Sequence, residues 1–451
     1  MPPPLEPNVP TIAICNISET FYSFLNRGEN AAARARLIHG EQYRGDRTLL
    51  WLGDAKLVFV TFPIPHAEHL YQQLGYRHTR YLAPQAPSPW LCRDILRETP
   101  LLTRLVDYAG EGRVVQLVPY ATTPEFLGLV DALRREHGLT ILLPESPAPE
   151  CLWVRDYIDT KAGFRVLASR WLGDLADDLL PFGVACEDWR SAAEIAHWFC
   201  SNGQACVVKA DDGENGIGQN VLRPGEFASA EAIRRELERN PFLYDHGVTV
   251  EAYIASANLL SPSLEVFVPP RGAGQPEITY LAQQMFLSPG DFCGVLVSRE
   301  LHEAGWYPAL AESGLRIAAG LQAVGYVGHF DLDTVVDDNG RLFLLEVNSR
   351  RTGGTHVHEF ARFAFGPDYL ERVVLLSHDA MSSGPFRQFD ALQAAIGDLT
   401  YPMRGEQRGV VVTVTSALAA GEFGCIIVAA SAAEALALQQ ELAGRVQSSP
   451  P

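Results

Sequence analysis

Residues 328–356 hold the densest set of side chains able to do chemistry in this chain. Asp331 and Asp333 alternate with Phe330, Leu332 and Thr334, so the two acids fall on one side of a strand. Asp337-Asp338-Asn339-Gly340 is a turn, because Asn-Gly accepts positive φ. Leu342 to Val347 is a second, apolar strand interrupted by Glu346, and Asn348 lies two residues further on, pointing the same way. A carboxylate in an apolar strand costs several kcal/mol unless it is paired or metal-bound. Asp333, Glu346 and Asn348 are hard oxygen donors that converge at one end of this hairpin, the way proteins hold Mg²⁺ against nucleotide phosphates. Asp331 is the alternative to Asp333 as the ligand on the first strand.

A second motif lies upstream. Ala205 to Val221 reads as a short apolar strand, a lysine, a glycine-rich turn and a return strand. Gly213, Gly216 and Gly218 let the backbone approach a phosphate and turn N–H groups toward it. Lys209, at the strand end, supplies a point charge for the same phosphates. Neither the dinucleotide fingerprint nor the P-loop fits, since no Gly-Lys-Ser/Thr is present and a strand follows.

Taken together, the two motifs resemble the ATP-grasp superfamily over about residues 150–370. The resemblance implies a nucleotide held between two α+β lobes under a glycine-rich lid at 211–220, with ATP and Mg²⁺ as cofactors. It makes Lys161, at the head of a helix over 162–170, the first phosphate-binding lysine and Lys209 the second. Glu251, Tyr253 and Ile254 fall on the strand that receives the adenine, and Glu265 is the candidate ribose acid. Glu346-Val-Asn-Ser-Arg350 matches the superfamily's Glu-x-Asn-x-Arg, and Arg350 becomes a clamp for developing phosphoryl charge. Arg351, Gly353, Gly354 and His356 are the candidate substrate contacts, with a structural role as the alternative for Arg351. His356 and His358 have the look of a metal pair, but the resemblance favours oxygen ligation.

A narrower similarity, to the pheganomycin-type peptide ligases, rests on Lys209-Ala-Asp-Asp-Gly-Glu-Asn-Gly-Ile-Gly218 and on Glu346 to His356. It implies a pre-ATP-grasp α/β domain at 1–149, the ATP-grasp domain at 150–376 and a small C-terminal α+β appendage of β–β–α form at 377–451. The implied reaction is ADP-forming ligation of a carboxylate to an amine through an acyl phosphate. The donor would be an amino acid, including amidino and guanidino types, and the acceptor an amino acid or peptide, in natural-product biosynthesis. Charging of a carrier-protein thiol and a non-catalytic ATP-binding regulator are the competing readings.

The rest of the chain is consistent with this frame. At 451 residues with 47% hydrophobic content it has room for about three domains with substantial cores. A net charge of −18 argues against nucleic acid or anionic membrane as partner, and no run of 18 apolar residues marks a membrane span. The N-terminus lacks the features of a signal peptide, and eight scattered cysteines without a Cys-x-x-Cys indicate a reduced, cytoplasmic protein. A homodimer is left open. Strands are expected at 11–15, 57–62, 114–119 and 139–143, with a helix from Pro124 to His137, giving a small parallel sheet. Asn16 and Ser18 at the first strand's end either touch a ligand or cap a helix. Pro144 to Pro149 is a proline-rich linker. After residue 376, β-branched runs at 409–415 and 425–428 precede a helix at 431–445, and 448–451 is expected to fray.

Overall fold

The computed structural model describes residues 5–447 except 215, 245 and 289, so the expected fraying at 448–451 and one position of the glycine-rich turn lie outside the described residues. The N-terminal part is a five-stranded sheet of β1 (Thr11–Ile14), β2 (Lys56–Phe59), β3 (Arg80–Leu82), β4 (Val114–Pro119) and β5 (Thr140–Leu142), ordered β3-β2-β1-β4-β5 and parallel throughout. Strands buried on both faces read as continuous apolar runs, which is why four of the five were legible in the sequence. The exception, β3, is three residues long and carries no run of its own. The helix Pro124–Arg135 starts where Thr123 accepts a hydrogen bond from the Phe126 amide at 3.1 Å, with proline in its first turn. Asn16 and Ser18 are buried; Asn16 accepts from the Tyr120 amide at 3.0 Å and donates to Glu19 and to the Ala121 carbonyl, so it ties two strand ends together.

A four-stranded antiparallel sheet follows, with β6 (Gly183–Cys186), β7 (Cys206–Ala210), β8 (Gln219–Leu222) and β9 (Val248–Ala252) in the order β6-β9-β7-β8. The third sheet has eight antiparallel strands: β10 (Pro262–Val268), β11 (Glu277–Ser288), β12 (Asp291–Val297), β13 (Gly328–Val336), β14 (Leu342–Asn348), β15 (Val374–Ser382), β16 (Gly409–Val414) and β17 (Glu422–Ala429). Their order is β14-β13-β10-β11-β12-β15-β17-β16. The expected boundary at 376/377 therefore falls inside β15. Rather than forming a separate appendage, β16 and β17 extend the large sheet, because β17 pairs with β15 from Val374↔Ala429 to Ser382↔Glu422. The terminal helix Ala432–Gln447 covers this end, burying Ala435, Leu438, Leu442 and Val446 against a core that includes Leu376 and Ile427.

Buried ions join these bodies. Arg351 is 1% exposed and grips Glu145 through Nε and Nη2 at 2.8 and 2.6 Å, while its Nη1 reaches Glu359 at 2.5 Å. Its guanidinium lies 4.8 Å over the Trp51 ring. The reading of Arg351 as a substrate clamp is thereby corrected: every edge of its fork is spent joining the residue 145 segment to the helix Thr355–Phe365. Asp46 in turn accepts the amides of Thr415 and Ser416 at 2.8 and 2.9 Å, tying the N-terminal part to the far edge of the large sheet.

Next to Arg351 lies His329, with Nδ1 3.0 Å from Glu265 and Nε2 3.7 Å from Glu145, the second contact being ionic but too long for a hydrogen bond. Burial opposes its charge, but the two carboxylates outweigh burial and push its pKa from 6.5 up to about 9. A raised cationic pKa stabilises the fold fully below pH 6.5, and that contribution is lost as pH rises through about 9. The melting temperature should therefore decline between those limits, and His329→Gln should flatten the decline. Calorimetry across that range checks this; a folded variant that keeps the wild-type slope sinks the assignment.

Candidate functional site

The acidic hairpin and the glycine-rich turn meet at one cavity of about 370 Å³, walled by β7, β9, β10, β13 and β14 and by residues of the N-terminal part. The pairing Asp331↔Asn348 and Asp333↔Glu346 puts all four side chains on one face, since directly opposed residues share a face. A bulge between Asp333 and Thr334 leaves Leu345 unopposed, a local irregularity with no sequence signature. Asp333 accepts from Asn348 Nδ2 at 2.9 Å and from Gln284, and Asp331 accepts from the Ser263 hydroxyl at 2.6 Å. Burial raises the Asp333 pKa well above the usual range, and the charges of Asp331 and Glu346 raise it further. Asp331 is pushed up to about 6, again chiefly by burial.

Two lysines reach the site from opposite sides. Lys161 opens the helix Lys161–Leu172, capped by Thr160 accepting from the Gly163 amide at 2.9 Å. Its Nζ bonds the Gly213 carbonyl at 2.7 Å and pairs with Glu346 at 2.9 Å. Lys209, the penultimate residue of β7, pairs with Glu251 at 2.7 Å, whose other oxygen takes Arg165 at 2.8 Å. Tyr253 and Ile254, just past β9, line the cavity with Glu251. Gly216 lines it too; at φ +74 its backbone passes so close to the Gly290 carbonyl that no side chain would fit. Gly213 and Gly218 lie in the same turn but outside the cavity wall, with Gly213 reached through Lys161.

Arg350 is 6% exposed, stacked 4.8 Å from Phe21 and 5.5 Å from Tyr120. It donates to Glu214 at 2.6 Å and to Asn348 at 2.8 Å, while its Nε has no partner among the described residues. A buried guanidinium edge left unbonded is costly and suits an anionic guest. Burial pushes the Glu214 pKa up to about 7 even though Arg350 and Lys161 lower it.

Two expected contacts lie elsewhere. Glu265 shares the acidic face, but it sits further along β10 under the helix Thr355–Phe365 and is fully buried. It accepts from Thr279 at 2.8 Å and from Thr355, and it faces His329, so it is a structural acid and not a ribose ligand. His356 is 1% exposed and outside the cavity wall, with its pKa pushed down to about 3 by burial, so it contacts no substrate there. His358 bonds the Tyr369 hydroxyl through Nδ1 at 2.9 Å, and among the described residues neither histidine belongs to a group that could hold a metal. Gly353 and Gly354 do line the cavity; Gly354 packs against the Tyr280 ring too closely for any side chain. Sequence reasoning missed Glu214, Tyr120, Arg44, Arg47 and Asp379, which also line the cavity. Only Glu214 lies within a motif; the others reach the site through tertiary folding.

The donor set fits a hard divalent cation. Two carboxylates and one amide face each other, with a third carboxylate beside them, and their mutual repulsion calls for positive charge. Among the described residues no group of three or more His, Cys, Asp or Glu forms a ready metal cage, so phosphate or water oxygens would complete the shell.

No protein-family model and no curated protein matches the chain. Solved structures match along nearly its whole length. N5-carboxyaminoimidazole synthase from Aspergillus clavatus, in complex with ADP and 5-aminoimidazole ribonucleotide, aligns at TM-score 0.54 and 12% identity over 98% of this chain and 100% of that one. Campylobacter jejuni biotin carboxylase aligns at 0.54 and 12% over 98% and 94%, and L-amino acid ligase from Bacillus licheniformis at 0.51 and 11% over 97% of each chain. These are ATP-grasp enzymes, and the chain has the ATP-grasp fold. Among the described residues no helix is long and apolar enough to cross a membrane.

An acid whose pKa is raised by folding destabilises the fold once pH exceeds its ordinary value, because only the unfolded state ionises freely. Asp333→Asn should therefore raise the melting temperature in EDTA at pH 8 and lose that advantage near pH 4. A variant less stable than wild type at pH 8 would contradict the repulsion described here.

Proposed function

We propose that this protein is an ATP-dependent carboxylate–amine ligase that forms an amide through an acyl phosphate. One observation carries the reading. Two cations, Lys209 and Arg350, and three oxygen donors, Asp333, Glu346 and Asn348, line a single cavity of an ATP-grasp fold, and a third cation, Lys161, is tied to it through its ion pair with Glu346. Mg²⁺, when bound by those donors, supplies charge neutralisation at the phosphate oxygens. The chain's own groups do the rest. Lys209, held by Glu251, and Lys161, held by Glu346, are set to take the phosphates. The glycine-rich turn closes one side of the cavity through Gly216 and helps exclude water. Arg350 spreads charge as the donor carboxylate attacks the γ-phosphorus and the bond from that phosphorus to the bridging oxygen breaks, releasing ADP.

The acceptor nitrogen then attacks the acyl carbon. A C–N bond forms, the C–O bond to the phosphoryl group breaks, and phosphate leaves with the electron pair and takes the proton that the neutral amine gives up. No nucleophilic side chain is required, because positioning and electrostatics carry the barrier reduction. The donor class is an amino acid, amidino and guanidino forms included, and the acceptor an amino acid or peptide, as in the peptide ligases of natural-product assembly. The fold likeness to an L-amino acid ligase supports this substrate class.

The nucleotide products should be ADP and phosphate, with no AMP. Hydroxylamine in place of the amine should yield a hydroxamate only when donor and Mg²⁺ are both present. Glu346→Gln, nearly isosteric, should lower turnover about a hundredfold or more while leaving the fold intact. Ion-exchange chromatography of the nucleotides decides the matter: stoichiometric AMP refutes the reaction, and ATP binding without any turnover favours a regulator.

A further inference from the structure

The cavity continues past Arg350 to a second charged end that the phosphate and metal roles leave unused. Arg44 and Arg47 come from the segment Arg44–Leu50 of the N-terminal part, and Asp379 comes from β15. Arg47 Nη1 meets Asp379 Oδ2 at 2.5 Å, with side chains 7% and 5% exposed, and Arg44 pairs with Glu41. A buried ion pair is poor evidence for stability, since desolvation cancels most of its attraction.

These groups are only partly spent. An arginine carries five N–H groups. Arg47 commits Nη1 to Asp379 and Nε to the Arg44 carbonyl at 3.2 Å, and Arg44 commits Nη1 to Glu41. Among the described residues the Nη2 groups of both arginines and Oδ1 of Asp379 make no hydrogen bond. Gly353 lies beside them: a Cβ there would stand 3.6 Å from Asp379 Oδ2 and only 3.0 Å from the Phe292 ring, so no larger residue fits at this wall.

We infer that this end binds the acceptor as a free amino acid, Arg44 and Arg47 taking its carboxylate while Asp379 holds its amine toward the acyl carbon. The inference rests on the ligase reading above and names the acceptor of that reaction. Charge matching selects the class. Two arginines, Asp379 and Glu41 sum to zero, so the end complements a zwitterion. A plain amine would leave the arginine edges unmet, and a plain carboxylate would face Asp379. The donor's carboxylate has its own partner in Arg350, so the two substrates do not compete for one cation.

The test is a competition. Wild type receives ATP, Mg²⁺ and an equimolar panel of the free α-amino acids, with the matching α-amino acid amides added as acceptors that cannot serve as donors. Products are counted by mass spectrometry, and hydroxamate formation with hydroxylamine is followed in parallel. Wild type should use free acids over amides as acceptors by at least about tenfold, as a site built around a polar group rejects an analogue lacking it. Arg44→Gln, at a position more exposed than Arg47, should erase that preference and raise the ratio of hydroxamate to amide product. Arg44→Lys should restore part of the preference. Equal use of acids and amides by wild type, or an unchanged preference in a folded Arg44→Gln, overturns the inference. Absence of hydroxamate from wild type with every donor would instead refute the ligase reading, and the inference with it.

Discussion

The crowding of acids on one sheet face is the constraint around which the rest is arranged. Glu265, Asp331, Asp333 and Glu346 lie on neighbouring strands β10, β13 and β14, and Glu214 and Glu145 approach from outside the sheet. Left alone, such a face would not stay ionised in an interior. Each acid is therefore met by a group from another element. His329 and Arg351 neutralise the inner end, Lys161 meets Glu346, and Arg350 meets Glu214. Only the pair Asp331 and Asp333 lacks a directly bonded cation and relies on Ser263, Gln284 and Asn348. The inner acids are sealed and structural, while the outer acids stay half-met at the cavity. Compensation falls off along one face, and the site begins where it becomes incomplete.

The N-terminal part is held to this face by the same charges. Glu145 is one of its partners, Tyr120 stacks near Arg350, and Arg27 grips Asp212 beside the glycine-rich turn, where it also reaches the Phe242 carbonyl at 3.3 Å. The parallel sheet thus supplies a third wall to a cavity whose other walls come from the two antiparallel lobes. This third wall carries arginines of its own, Arg44 and Arg47.

Much of this was legible in sequence, for physical reasons that differ by region. The hairpin of β13 and β14 declared itself through period-two alternation and an Asn-Gly turn, and Asp333, Glu346 and Asn348 landed on one face because the register follows from that alternation. Lys161 and Lys209 were legible because Lys161 opens its helix and Lys209 lies one residue before the end of its strand, at the entry to the glycine-rich turn. Glu265 misled because alternation gives the face of a side chain but not what covers it, and the covering helix starts ninety residues later at Thr355. Arg351 misled for a related reason. Its neighbour Arg350 faces the cavity, and only the tertiary approach of Glu145 and Glu359 turns Arg351 the other way. The tail was read as separate because its composition changes at residue 376, yet composition cannot reveal that β17 finds a free edge on β15.

A chain of net charge −18 can receive an anion only where its cations are placed locally. Here the cations that line the cavity or pair with its acids are already engaged: Lys161, Lys209 and Arg350 each hold an acid of the chain itself. A guest phosphate must therefore exchange partners with Glu346, Glu251 or Glu214 instead of meeting bare charge. Such exchange weakens binding relative to unpaired lysines, but it keeps the cations oriented and the interior neutral before any guest arrives. Of the three acids, Glu214 is the one whose burial drives its pKa toward neutrality, and it sits on the glycine-rich turn. An acid whose charge burial disfavours is thus carried by the glycine-rich turn beside the cavity, where its ionised form depends on Arg350 and Lys161.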